Sequence, residues 1–422
     1  MIKHIHKNPD EQPGDTAPLA DDYIAPAPRV SVQAYCETEA TAAAIRSAGE
    51  DRRLAKAHLT VKMGGVVTAI DVYSSVPTPN VIILETNGSN DILAGLDELA
   101  GVCDPGTRVV VIGTPHDAAP YRELVRRGVS DYVIGPVNPL DVVRAICSLF
   151  SASEAVALGR IIAVVGAKGG VGASTIAHNV AWAIGRDLAM DSVVIDLDLA
   201  FGTASLDYNQ DPPQGIANAV FSAERLDTTV MERLLAKCSD HLSLLAAPAA
   251  LDRVYDFAAE AFDSIFDTLR LTTPCIVLDV PHQWSAWTKR ILIGADDILI
   301  VAEPDLANLR NTKNMLGILK SARPNDRPPL YCLNQVRMPK RPEIDARGFT
   351  KTIEIPPIAS IPFDSRLFGT AANNGQMIAE ISASHRTTKT FLQIAQRLTG
   401  RGDNKKPRGS FLAPIIKKLG VK

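Results

Sequence analysis

The sequence has no apolar run approaching the ~20 residues that span a bilayer, and its first thirty residues are polar, acidic and rich in proline. Neither a membrane-spanning helix nor a secretory leader is expected, and a cytoplasmic location follows as the expectation. Paired cysteines are also missing. Cys36, Cys103, Cys147, Cys238, Cys275 and Cys332 show no C-x-x-C spacing, and several lie in apolar runs, so all six read as reduced core thiols and not as cluster ligands. The eight histidines form no pair at metal-ligand spacing beside acids or cysteines. Charge of one sign is lacking as well: 44 Lys and Arg against 47 Asp and Glu leave a formal net charge of −3, so no global field draws the molecule to nucleic acid. What remains is 422 residues, 46% hydrophobic and 22% charged, enough to bury the cores of two or three domains.

The most telling absence is one lysine. Gly166-Ala167-Lys168-Gly169-Gly170-Val171-Gly172-Ala173-Ser174-Thr175 follows the apolar run Ile161–Val165 and opens a segment in which Ile176, Val180 and Ile184 recur at four-residue spacing. Strand, glycine-rich turn and helix in that order make a phosphate-binding loop, whose backbone N–H groups face phosphate oxygens while a hydroxyl, here Ser174, reaches Mg²⁺. The pattern G-x-x-x-x-G-K-[ST] calls for a lysine where this chain has Ala173. An earlier lysine, Lys168, stands inside the glycine run. This arrangement resembles the deviant Walker A loop of the ParA/MinD superfamily of dimerising nucleotide switches. The resemblance implies ATP as the nucleotide, a homodimer, and a Lys168 that reaches across it to the partner's nucleotide.

Three strand ends carry further chemistry. Ser192–Ile195 runs into Asp196-Leu197-Asp198, similar to the superfamily's switch I signature. By that resemblance Asp198 orients the attacking water and Asp196 helps arrange the Mg²⁺ shell; the alternative is a pair of turn-forming acids. Pro274–Val280 closes on Asp279, the pattern of a Walker B strand whose carboxylate holds Mg²⁺ through water. Leu330–Leu333 ends at Asn334, whose amide, by resemblance, serves the adenine edge with one donor and one acceptor. The expected nucleotide-binding set is therefore Gly169, Gly170, Val171, Gly172, Ala173, Ser174, Thr175, Asn334 and Pro362, with Lys168 and Asp198 catalytic and Ser174, Asp196 and Asp279 on the metal.

Domain organisation follows from alternating apolar runs and helix-length segments. Residues 1–28 read as a flexible arm and 29–150 as a first α/β domain, with strands near 30–35, 80–84, 108–112 and 131–134. A junction at 151–159 precedes a longer α/β pattern at 160–400, with strands near 161–165, 192–197, 242–246, 275–280, 297–302, 329–334 and 357–361. Such a series implies a doubly wound, mostly parallel sheet whose ligand lies beyond the carboxyl ends of its strands.

The first domain resembles a response-regulator receiver, of flavodoxin-like fold, around Gly128-Val129-Ser130-Asp131-Tyr132 and Gly135-Pro136. It departs from that family at every group phosphotransfer needs: no lysine precedes Pro136, Val81–Leu84 ends at Glu85 in place of the phosphorylated aspartate, and Tyr35-Cys36-Glu37 offers no paired acids. A degenerate receiver used for docking or dimerisation is expected. Glu85 reads as a surface acid, with a fixed mimic of the modified aspartate as the alternative.

Ile361-Pro362-Phe363-Asp364-Ser365-Arg366-Leu367-Phe368-Gly369-Thr370, together with Lys168–Thr175, resembles the CpaE/TadZ branch of the superfamily, the Flp (Tad) pilus assembly proteins, over roughly residues 30–400. The resemblance implies a nucleotide-bound dimeric factor that localises pilus or secretion machinery at the inner membrane, without a specific nucleic acid. An actively cycling ParA-like ATPase that positions DNA or other cargo is the alternative. Loss of one phosphate-side donor costs about 3–4 kcal/mol, on the order of 10²–10³ in rate, so weak or absent hydrolysis is expected. The tail, 401–422, is basic with an apolar stripe at Phe411, Leu412, Ile415, Ile416 and Leu419; that composition fits a peripheral membrane contact, a peptide that docks on a partner, or an unstructured end.

Overall fold

A computed structural model describes residues 23–86, 92–113, 123–124, 126–151, 158–249, 254–255 and 257–401. The greater part of the arm and of the linker, and nearly all of the basic tail, lie outside this set.

Two parallel sheets organise the chain. In the first, β1 (Ser31–Cys36), β2 (His58–Met63), β3 (Val81–Glu85), β4 (Arg108–Gly113) and β5 (Asp131–Ile134) stand in the order β2-β1-β3-β4-β5. This is the flavodoxin-like, receiver-like order. Strand alternation divides its core. Val32 and Ala34 face Ala42 and Ile45 of the helix Glu39–Gly49 and Val143 and Ile146 of the helix Pro139–Ser151. Tyr35, Leu84 and Val111 face Ala69 of the helix Gly65–Tyr73 and Leu96 and Leu99 of the helix Ile92–Val102. The strand β2 has no counterpart among the strands expected from the sequence. It is an edge strand, half exposed along most of its length and carrying His58 and Lys62, so its sequence lacks the apolar run of an interior parallel strand.

The second sheet contains β6 (Arg160–Gly166), β7 (Ser192–Asp196), β8 (Ala236–Ser239), β9 (Leu242–Leu245), β10 (Cys275–Val280), β11 (Asp297–Ala302), β12 (Leu330–Val336) and β13 (Ser360–Pro362). Their order is β13-β12-β11-β6-β10-β7-β9-β8. All neighbours are parallel except β8 and β9. The expected strand at 357–361 forms at 360–362, and β8, a short polar edge strand, is additional. Ile162 and Val164 pack against Ile176, Val180 and Ile184 of the helix Ala173–Leu188 and against Phe391 and Ile394 of the helix Arg386–Thr399. Ile161, Ala163 and Val165 face Ile265 and Leu269 of the helix Asp263–Thr272, with Leu309 and Leu316 of the helix Leu306–Ala322. All six cysteines are free thiols; Cys36, Cys147, Cys275 and Cys332 are buried, whereas Cys103 and Cys238 are only half-buried.

The two sheets meet through a buried charge network. Arg52 of the first unit bonds Asp326 at 2.7 Å and Asp296 at 3.0 Å. Arg53 bonds Asp51 at 2.8 Å and lies 3.1 Å from Asp326, and Asn325 donates to Asp51 at 3.0 Å. Arg270 and Arg323 complete the shell around Asp296 and Asp326. Burial opposes ionisation of both aspartates, but the surrounding guanidinium groups outweigh it and hold them below the usual carboxylate range. Asp296 immediately precedes β11, so the joint sits at the opposite end of the sheet from the glycine-rich loop. Tyr23–Pro28, expected within the flexible arm, packs here: Ala27 is buried, its N–H donates to the Arg53 carbonyl, and Arg270 donates to the Tyr23 hydroxyl.

Candidate functional site

The glycine-rich loop leaves the carboxyl end of β6, where the strand order reverses between β11 and β10, the switch point at which doubly wound sheets hold ligands. Gly170 and Gly172 both take φ of +81°, the left-handed region open to glycine. A Cβ on Gly172 would lie 2.6 Å from Asn334 Nδ2, so only a bare backbone fits. The loop ends at the N-terminus of the sixteen-residue helix Ala173–Leu188, whose first N–H groups and dipole favour an anion. Ser174 and Thr175 stand half-exposed in its first turn, and Ala173 packs partly into the core.

Neighbouring strands fix the loop from several sides. Asn334 Nδ2 donates to the Val171 carbonyl at 2.8 Å, and Gln335 donates to that of Gly170 at 3.2 Å. Asn311 donates to the Ala167 carbonyl at 2.8 Å, and His282 Nδ1 lies 3.0 Å from the Gly166 carbonyl. Asn334 thus touches the loop backbone itself. Lys168 is about half exposed and pairs at 3.8 Å with Asp305, which caps the helix Leu306–Ala322. Pro362 is placed on β13, in register with Val336, three strands from β6.

The acids come together. Asp279 and Asp196 are register partners on β10 and β7, both nearly fully buried. Asp196 accepts from the N–H groups of Asp198 and Ala204, each at 3.1 Å, so its carboxylate closes the 197–203 loop upon itself. Burial first, and the charge of Asp279 second, push Asp196 well above the usual carboxylate range. Asp198 is half-exposed and accepts from the Phe201 N–H at 3.1 Å in the turn that follows.

One residue of the site does not stand out in the sequence. His178, one turn beyond Ser174 on the same helix, is fully buried. Its Nδ1 lies 2.7 Å from Asp207 and its Nε2 3.3 Å from Asp279, the latter an ionic contact without hydrogen-bond alignment. Burial disfavours its charged form, yet the two acids outweigh that and lift it above the usual imidazole range. Its only sequence signal is a histidine at i+4 from Ser174 on an otherwise apolar helix face. His282, Asn311 and Gln335 carry no signal in sequence, because each reaches the loop only through the strand order.

The switch point of the first sheet is different. Glu85 is not a surface acid: it is 6% exposed at the end of β3, beside β1. Its carboxylate accepts from the N–H groups of Glu37 and Thr38 at 2.8 and 2.9 Å and from the hydroxyls of Thr38 and Thr41, each at 2.6 Å. Burial works against its ionised form, but these donors prevail and hold Glu85 below the usual carboxylate range.

A family model described as an AAA domain matches residues 159–330. The septum site-determining protein MinD of Synechocystis sp. is 26% identical over 253 residues, 58% of this chain and 91% of that protein. Among solved structures, a ParA family ATPase from Chlorobium tepidum is similar with a TM-score of 0.51 at 23% identity, over 57% of this chain and 98% of that one. The pilus assembly protein CpaE of Caulobacter crescentus is 47% identical over 30% of this chain and 98% of that one, with a TM-score of 0.29. No helix among the described residues is long and apolar enough to cross a membrane. The glycine-rich loop, the paired strand-end acids, the likeness to MinD proteins in sequence and the likeness to the ParA family ATPase in fold agree on one conclusion: the second sheet and its helices form a P-loop fold of the ParA/MinD type, similar in sequence to MinD proteins.

Proposed function

We propose that this protein is a dimeric, ATP-binding assembly or localisation factor of the CpaE/TadZ kind for Flp (Tad) pilus machinery, with slow or no hydrolysis. One observation carries the nucleotide reading: a bare-backbone loop and a long helix N-terminus face the switch point, with Asp196 and Asp279 side by side on the next strands. The donor set fits a nucleotide with Mg²⁺. N–H groups of Gly169–Thr175 would take the phosphates, and Ser174 and Asp279 the cation, with Asp196 shaping the neighbouring loop. The cation would neutralise phosphate charge and hold the β and γ groups in one geometry. Asn334, bonded to the Val171 carbonyl of the loop, would serve the base with its remaining donor and acceptor.

Slow turnover follows from Ala173, which brings no charge to the phosphates. Lys168 cannot replace it within one chain while paired to Asp305, but its exposure leaves it available to a partner's nucleotide. Phe201, Trp284 and Leu306, each exposed a few residues beyond β7, β10 or β11, rim the same face and suit a second copy of the chain. The pilus assignment rests on the resemblance of Lys168–Thr175 and Ile361–Thr370, and on a first domain without phosphotransfer groups.

The decisive experiment measures ATP binding, phosphate release and solution mass for the wild type beside Ala173→Lys and Lys168→Ala. Tight binding, a nucleotide-dependent dimer that Lys168→Ala weakens, and turnover acquired only in Ala173→Lys are expected. Steady wild-type turnover of several per second would overturn the slow-switch reading. For the cellular role, deletion of the gene should abolish surface pili; unchanged piliation would remove that assignment.

A further inference from the structure

His178 joins two parts of the molecule that the sequence separates. An imidazole buried in an apolar helix face is costly unless its nitrogens find partners, and here both face acids, Nδ1 hydrogen-bonded to Asp207 and Nε2 in ionic contact with Asp279. One is Asp279 at the end of β10. The other is Asp207, in the short helix Ala204–Asp207 that follows the 197–203 loop. The next residue reinforces the connection: the Tyr208 hydroxyl donates to the His178 carbonyl at 2.8 Å, and the two rings lie 5.5 Å apart. At its start the same segment is tied to Asp196 through the N–H groups of Asp198 and Ala204. Residues 198–208 are therefore held at one end by Asp196 and at the other, through His178, by Asp279. Between these anchors Phe201 and Leu206 are 73% and 67% exposed.

We propose that His178 is a positioning residue that hands the arrangement of Asp279 on to Asp207, so that a cation and nucleotide at Asp279 set the posture of residues 198–208 and the display of Phe201 and Leu206. The inference rests on the nucleotide reading above. Asp279 has one carboxylate to divide between His178 and the hydration shell of a divalent cation. When that carboxylate turns toward the cation its hold on Nε2 of His178 loosens, and the change reaches Asp207 through a single rigid ring. Because coupling is reciprocal, a change at Asp207 must alter how the distant site uses its cation.

The test is a double-mutant cycle read by Mg²⁺ titration of a fluorescent ATP analogue on the full chain: wild type, Asp207→Asn, His178→Gln and the double variant. Asp207→Asn is expected to leave Mg²⁺-free nucleotide binding unchanged and to shift the Mg²⁺ midpoint by about fivefold or more. That shift should vanish in the His178→Gln background. In parallel, hydrogen exchange of residues 198–208 should quicken on adding Mg²⁺ and nucleotide to the wild type and not to His178→Gln. An unmoved midpoint in Asp207→Asn, or an equal shift in both backgrounds, overturns the coupling while the nucleotide reading stands. A wild type that binds no nucleotide with or without Mg²⁺ overturns both. Should His178→Gln fail to fold, His178→Asn takes its place, and the Asp207→Asn midpoint alone still decides.

Discussion

The two sheets obey one topological rule and use it in opposite ways. Each reverses its strand order beside its first strand, β1 against β3 and β6 against β10, and each places a helix N-terminus beside the resulting crevice. In the first sheet a carboxylate of the chain fills that place: Glu85 consumes two N–H groups and two hydroxyls around the start of Glu39–Gly49. In the second, the loop approaches as bare backbone, and of the two register-paired acids Asp279 turns to His178 and Asp196 to the 197–203 loop. A parallel sheet thus presents either a filled crevice or an open one according to whether its helix N-terminus already has an internal anion.

The largest expected effect tests whether the closed and open halves are independent. Arg52→Ala strips the buried Asp296 and Asp326 of a shared partner, and breaking such a pair costs about 3–5 kcal/mol. Urea unfolding should show an earlier transition, whereas nucleotide affinity of the folded protein should hold, because the joint lies at the end of the sheet away from the loop. Lost affinity in a folded Arg52→Ala protein would show that the two ends communicate.

Next in size is the internal anion. Glu85→Ala removes four hydrogen bonds between a charged acceptor and neutral donors and should destabilise the first domain by about 2–3 kcal/mol. Millimolar acetate should recover part of the loss if the crevice is an anion cradle; no recovery would leave Glu85 as a packing residue only. The pH dependence has a fixed sign. With its folded pKa below the ordinary glutamate value, Glu85 contributes fully above that ordinary value, and its contribution disappears as pH falls through the folded pKa. The stability gap between wild type and Glu85→Gln should therefore narrow on acidification; a gap that widens would contradict the assignment.

The open site is probed by closing it. Gly172→Ala forces an L side chain into the left-handed region, at about 1–2 kcal/mol, and drives its methyl against Asn334. Nucleotide affinity should fall by about tenfold or more, the equivalent of 1.4 kcal/mol, while the first domain unfolds as before. Unchanged affinity would remove the loop from the site.

Much of this contrast is legible in the sequence, and the illegible part has a common cause. The strand, glycine run and helix at 161–188 announce themselves because local backbone demands and apolar spacing are written in consecutive residues. Asp196 and Asp279 are readable as strand-end acids, although not as register partners. Glu85 reads wrongly as a surface acid because its burial depends on Thr38 and Thr41, more than forty residues away, and nothing near it in sequence marks it as inward. The strand β2 escapes for a related reason: at a sheet edge, only one side of the pairing constrains composition. His178, and the packing of Tyr23–Pro28 against Arg53 and Arg270, likewise exist only after distant segments meet.

The smallest effect on stability carries the sharpest functional contrast. Phe201, Trp284 and Leu306 are exposed at the rim of the open site, so replacing Phe201 and Trp284 with serine should change unfolding by no more than about 0.5 kcal/mol each. In a dimer that closes over the nucleotide, the same residues leave water and their area contributes at about 25 cal/mol per Å². Solution mass with ATP should therefore remain monomeric in Phe201→Ser/Trp284→Ser while nucleotide affinity is retained. Equal dimerisation of variant and wild type would move the dimer contact off this face, and the first domain, with its crevice already filled and its edge strand β2 half exposed, would become the surface to test.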